Sequence, residues 1–178
     1  GHYIVGKASG KLTRYIWQAV SIMPAEDYLG VTVYEYDDEN VPYRNPEYFI
    51  DDIAFSLGGR AAENMFRPDF TSGASCDLQM ATKDAFYLVT KLGMGNDSIK
   101  NRVYLNSYTY PMFSEKALDM VNAEVDKIIQ KAYTRAQNLL NENKDILEAI
   151  VAALLEKRIM SEIELDQVWQ EVVKKRTA

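Results

Sequence analysis

The sequence predicts a mainly α-helical fold with a small antiparallel β-sheet near its N-terminus and a helical bundle at its C-terminus. Three observations carry this. Val31, Val33 and Glu35 alternate with Thr32, Tyr34 and Tyr36, which is the period of a strand. Long later stretches place apolar residues at helical spacing. Helix-start signals stand at Asn45-Pro46, Ser114 and Ser161 with Glu164.

Taken in order, residues 1–9 read as the end of a helix that stops near Gly10, with no capping residue before Gly1. Two stretches rich in β-branched and aromatic residues follow, "QAVSIM" (18–23) and "LGVTVYEY" (29–36), joined by "PAEDY" (24–28) as a hairpin. Asn45-Pro46 reads as N-cap and first helical residue. Phe49, Ile50, Ile53, Leu57, Ala61 and Met65 then mark one helix face. Gly58 and Gly59 interrupt that helix at about 1 kcal/mol each relative to Ala, which points to another backbone passing close by. Residues 67–76 are a loop of turn formers. A helix begins around Asp77, buries Leu78, Ala81, Ala85, Leu88, Val89 and Leu92, and ends at Gly93.

Residues 93–113 are irregular and aromatic, and their tyrosine-rich part, 103–113, reads as a surface loop or a subunit contact, the contact suiting so many tyrosines better. Ser114 caps a long helix to about Asn141 with the stripe Leu118, Val121, Val125, Ile128, Ala132, Ala136 and Leu139. Further helices cover about 144–157 and 162–175, the last opened by a Ser161/Glu164 capping box. Met65, Met80, Met94 and Met120 are expected to fill gaps in the core.

Composition limits the function classes. The 178 residues carry a net charge of −6, without the basic footprint of a nucleic-acid binder. A single cysteine, Cys76, excludes an internal disulfide framework and a Cys-rich zinc site, and a reducing compartment fits that usage best. No signal peptide leads the sequence. The longest apolar run, "AIVAALL" (149–155), falls far short of the roughly 20 residues that span a bilayer. No membrane contact is therefore expected from this chain itself. No G-x-x-x-x-G-K-[ST] segment occurs, so these residues do not bind ATP by that route.

Two residues invite a chemical reading. Asp77 stands where a loop becomes a helix: either a carboxylate favoured by the helix dipole, the commoner case, or a metal ligand. His2 is the only histidine, and at a terminus it is more often an unremarkable residue than a ligand.

Several stretches in order resemble the peptidase domain of the FtsH family, the ATP-dependent zinc metalloproteases with an AAA ATPase module. "GHYIVG" (1–6) is similar to the second half of that family's H-E-x-G-H helix, "VSIMP" (20–24) and "LGVT" (29–32) to the strands that follow, and "GGRAAE" (58–63) to its GGR-A-E signature. "TSGASCDLQMAT" (71–82) is similar to its S-T-G-A-S-x-D-[LI] segment, and 123–157 to its C-terminal helices. The resemblance covers nearly the whole chain. It implies an FtsH-type metallopeptidase fold, with a zinc-peptidase core over 1–113 and a C-terminal helical bundle of the same domain over 114–178.

It also implies roles. Two histidines at i and i+4 share one helix face and grip Zn²⁺, and the glutamate beside the first is the general base. His2 takes the place of the second histidine, and Asp77 that of the third ligand. The first histidine and the glutamate have no counterpart here, so this stretch of 178 residues is expected to be inactive alone. Glu63 is a candidate to orient His2 from outside the ligand set, or a solvated helix residue. Asn64 and Cys76 depart from the residues usual in the family, and Cys76 is expected to be small and buried. Leu29, Gly30, Val31 and Thr32 are a candidate edge for pairing with an extended substrate. The family further implies protein substrates, an ATPase module bound elsewhere, a hexameric ring and a membrane-anchored parent with this domain on the cytoplasmic side. The alternative is a family-like assembly or client-binding module that does not cut.

Overall fold

The computed structural model describes residues 1–10, 15–26, 29–36, 44–67, 69, 71–96, 99–100, 103 and 114–177. Six helices and three strands run in the order α1 (His2–Ala8), β1 (Tyr15–Ser21), β2 (Val31–Tyr36), α2 (Pro46–Phe66), α3 (Ser75–Thr90), α4 (Glu115–Glu142), α5 (Lys144–Lys157), β3 (Ile159–Ser161) and α6 (Glu162–Thr177). A 3₁₀ turn, Ser72–Ala74, leads into α3. The helix-rich class with a small antiparallel sheet agrees with the sequence reading.

The sheet order is β2-β1-β3, all antiparallel. β1 starts three residues earlier than expected and ends at Ser21. The reason is aromatic: Tyr15 and Trp17 are buried against α2, so packing extends the strand backwards. β3 was not anticipated, because three residues show no periodicity; it forms because Val20 and Ser21 offer an edge to Met160 and Ile159. The stretch between β1 and β2 lies partly outside the described residues, as does the tyrosine-rich segment apart from Val103.

α2 is the hub. Asn45 caps it, its side chain accepting from Tyr48 N–H at 2.9 Å. Ile53, Ala54, Leu57 and Ala61 are fully buried between α1, α3 and α4, where each large apolar side chain contributes about 1.5–3 kcal/mol. On α4 the buried stripe is Val121, Val125, Ile128, Ala132, Ala136 and Leu140. Leu118, expected in that stripe, is 37% exposed at the first turn of α4. Met80 is also a correction: it is 44% exposed rather than a core filler. Met65, Met94 and Met120 do pack on the core.

Arg135 of α4 reaches Asp51 at 2.6 Å and Glu47 at 2.9 Å on α2. Ser161 and Glu164 form the expected capping box, with Ser161 N–H donating to Glu164 at 2.9 Å.

Candidate metal centre

The backbone of α1 is pressed against α2. A Cβ on Gly58 would lie 3.3 Å from the Gly1 carbonyl carbon and 3.1 Å from Val5 Cγ2. A Cβ on Gly59 would lie 2.7 Å from His2 Nε2. The two glycines inside α2 are thus the close approach that the sequence implied: Gly58 admits the α1 backbone, and Gly59 makes room for the imidazole.

The imidazole is held by one bond. His2 Nδ1 lies 2.8 Å from the Phe55 carbonyl oxygen. A carbonyl only accepts, so Nδ1 carries the hydrogen and donates. The Phe55 ring is fixed by Tyr15, Trp17 and Tyr34 at 4.4–5.8 Å between centroids, so the carbonyl that orients His2 is itself braced by the aromatic core. With the hydrogen on Nδ1, it is the Nε2 position that faces outward to take a cation.

That position faces Asp77 Oδ2 at 3.3 Å. Asp77 comes from the first turn of α3, placed there by the 3₁₀ turn and by Thr71, whose hydroxyl accepts from Gly73 N–H. Two electron-rich atoms in that relation need a cation between them, a proton or a metal. The distance fits a metal: two ligands on a tetrahedral zinc, with bonds of about 2.0–2.1 Å, are separated by roughly 3.3 Å. An imidazole whose other nitrogen donates to a carbonyl is also the usual state of a zinc-ligating histidine. Residues 75 positions apart are brought together here. Among the described residues no third His, Cys, Asp or Glu joins them.

His2 and Asp77 sit at the floor of a cleft of about 530 Å³. Gly30, Val31 and Thr32 form one wall, with Ser21, Phe55, Gly73, Cys76 and Met80 among the rest. Leu29 stands beyond it, 84% exposed. β2 pairs with β1 on one side only, and its other edge has no strand partner among the described residues. Gly30 is tucked against β1, where a Cβ would meet Ser21 O at 2.8 Å.

The remaining candidates fall as follows. Glu63 lies one turn beyond Gly59 on the same face of α2, half-buried. The Nδ1 partner of His2 is the Phe55 carbonyl, which no side-chain pattern announces because a backbone acceptor is independent of residue type. Cys76 is exposed in the cleft wall, not buried, because the face of α3 that carries it borders the open cleft.

Comparison with known proteins gives the family. Residues 1–168 match peptidase family M41. The chain is 36% identical over 164 residues to an ATP-dependent zinc metalloprotease FtsH of Cupriavidus metallidurans, covering 88% of this chain and 25% of that protein. It is 33% identical to FtsH 2 of a Thermoanaerobacter species, covering 96% of this chain and 31% of that protein. To the FtsH of Thermus thermophilus it is 29% identical, covering 84% and 24%. The chain thus spans between about a quarter and a third of the length of these relatives. No helix among the described residues is long and apolar enough to cross a membrane. With a histidine on α1 and an aspartate on α3 converging beneath an open strand edge, and with the match running from the first residue to residue 168, the chain belongs to peptidase family M41.

Proposed function

We propose that this chain is the proteolytic domain of an ATP-dependent zinc metalloendopeptidase, with residues 1–113 as its zinc-peptidase core and 114–178 as the C-terminal bundle of the same domain. The observation that carries the reading is the pairing of His2 Nε2 with Asp77 Oδ2 at 3.3 Å while Nδ1 is committed to Phe55. His2 and Asp77 would hold the metal, and Glu63 supports their arrangement from the adjacent turn of α2. When bound, zinc supplies Lewis acidity, polarising the scissile carbonyl and making water a nucleophile near neutral pH.

The chain's own residues do the rest. Phe55 fixes the histidine tautomer. Leu29, Gly30, Val31 and Thr32 offer backbone groups along the cleft to an extended protein or peptide substrate. Main-chain pairing ignores side chains and suits a protease of broad specificity. In this reading the general base and the first histidine would come from residues preceding Gly1. The relatives are named ATP-dependent, which supports an ATPase module outside these residues. The whole protein is read as a hexameric ring anchored in a membrane, with this domain on the cytoplasmic side.

The test is to place His-Glu-x directly before Gly1 and to measure zinc content and cleavage of an unfolded protein such as casein. The extended chain is expected to hold about one zinc and to cut, and Asp77→Asn to lose both. A chain extended in this way that binds no zinc sinks the reading and leaves a non-cutting assembly module.

A further inference from the structure

The side of α1 away from α2 is gripped by the C-terminal helix. Tyr3 and Lys7 lie one turn apart on the same face of α1. The Tyr3 hydroxyl donates to Asp166 Oδ1 at 2.7 Å. Lys7 Nζ pairs with the same carboxylate oxygen. Trp169, one turn further along α6, meets the Tyr3 ring edge-on at 6.2 Å between centroids. The Lys7 ammonium lies 5.6 Å from the centres of both the Tyr3 and the Trp169 rings. Tyr3 is 3% exposed, and Trp17 packs on its other side at 5.2 Å.

These contacts have a consequence for His2. Like most helices in proteins, α1 takes its place from tertiary packing more than from its own propensity. On the α2 side, Gly58 and Gly59 admit the backbone of α1, while Ile4 and Val5 are buried in the core. The contacts of Tyr3 and Lys7 with α6 add a second hold on the opposite face, which resists rotation of α1 about its axis. The adjacent residue, His2, points into the cleft, and its single orienting bond to Phe55 O holds only while α1 stays seated.

We infer that Asp166, with Trp169, is a positioning residue for the metal centre: α6 clasps α1 from behind and thereby sets the register of the His2 imidazole against Phe55 and Asp77. The functional weight of the inference rests on the proposed role of His2 as a metal ligand, but the clasp itself is measurable without metal. It also explains why a metal-binding helix at one end of the chain is tied to residues about 160 positions away.

The test exploits the fact that His2 is the only histidine. Nitrogen-15 NMR of the imidazole in the 178-residue chain reads its tautomer directly. The wild-type chain is expected to hold the Nδ1–H form. In Asp166→Ala the minor Nε2–H form rises roughly five- to tenfold, the effect of about one lost hydrogen bond. Asp166→Asn, which keeps an acceptor for Tyr3 but loses the charge partner of Lys7, and Lys7→Met fall between the two. In the chain extended by His-Glu-x, Asp166→Ala weakens Zn²⁺ binding by about tenfold. A variant with a lower melting temperature but an unchanged tautomer and unchanged Zn²⁺ affinity overturns the inference, since Asp166 would then only stabilise the fold. If Asp166→Ala does not fold, Asp166→Asn and Lys7→Met decide by the same readouts. If the wild-type extended chain binds no Zn²⁺ while the tautomer still responds to Asp166, the clasp stands and the metal reading fails.

Discussion

A methyl group at position 59 would stand 2.7 Å from His2 Nε2, closer than any real contact allows. Gly59→Ala therefore has a sharp expectation. Alanine gains about 1 kcal/mol in helix propensity, and the collision offsets this at a cost of about 1–3 kcal/mol unless the imidazole moves. Moving it is the easier route, because the ring is held by one bond. We expect Gly59→Ala to fold with a melting temperature close to wild type, while Zn²⁺ binding by the chain carrying the restored His-Glu-x falls at least about tenfold; isothermal titration alongside a melt separates the two. The sequence implied the close approach from the pair of glycines in a helix. It did not say that one glycine serves a backbone and the other a side chain. Cys76 and Met80 show the opposite limit: residue type suggested burial, but the cleft opens on the face of α3 that carries them.

Among the elements, α2 and α4 are joined by a charge pair with one buried member. The Asp51 side chain is fully buried and that of Arg135 27% exposed. Arg135→Met removes the partner of a buried carboxylate and is expected to cost about 3 kcal/mol, read as a lower urea midpoint at unchanged m-value. Lys131→Met, which touches only exposed Glu47, should cost well under about 1 kcal/mol. The turn from α5 to β3 offers a gain. Arg158 is the only non-glycine with positive φ among the described residues, at 68°, and Arg158→Gly should raise stability by roughly 0.5–1 kcal/mol. Elements with long periodic faces or a capping pair were legible: α2, α4, α5 and α6 lie close to their expected bounds. β3 and the early start of β1 were not, since both depend on partners distant in sequence.

The molecule as a whole has a predictable response to acid. Its ion pairs hold four carboxyls below their ordinary values. Lys131, with Arg135, does so for Glu47, and Arg176 for Asp145. Lys157 and the capping-box bonds from Ser161 bring Glu164 down to about 2. At Asp166 burial works against ionisation, but the bonds from Lys7 and Tyr3 outweigh it. A lowered folded-state pKa gives stability that is complete above the unfolded value and disappears as pH falls through the folded one. The melting temperature should therefore be level above about pH 5 and fall steadily from about 4.5 towards 2. Glu164→Gln should flatten the lower part of that fall. Three of these carboxyls belong to or touch α6, so that helix and its hold on α1 should loosen first; amide exchange measured at pH 3 would show it.

The sequence by itself determined the family, the helical class, the capping signals and the identity of His2 and Asp77 as a candidate pair. These are carried by local spacing and by ordered motifs, which need no knowledge of distant contacts. Only the tertiary structure decided that the two residues meet at 3.3 Å, that a backbone carbonyl sets the histidine tautomer, and that α6 reaches back to hold α1. Each of those depends on groups between about 50 and 160 positions apart or on a main-chain atom, and neither leaves a periodic trace in the order of side chains.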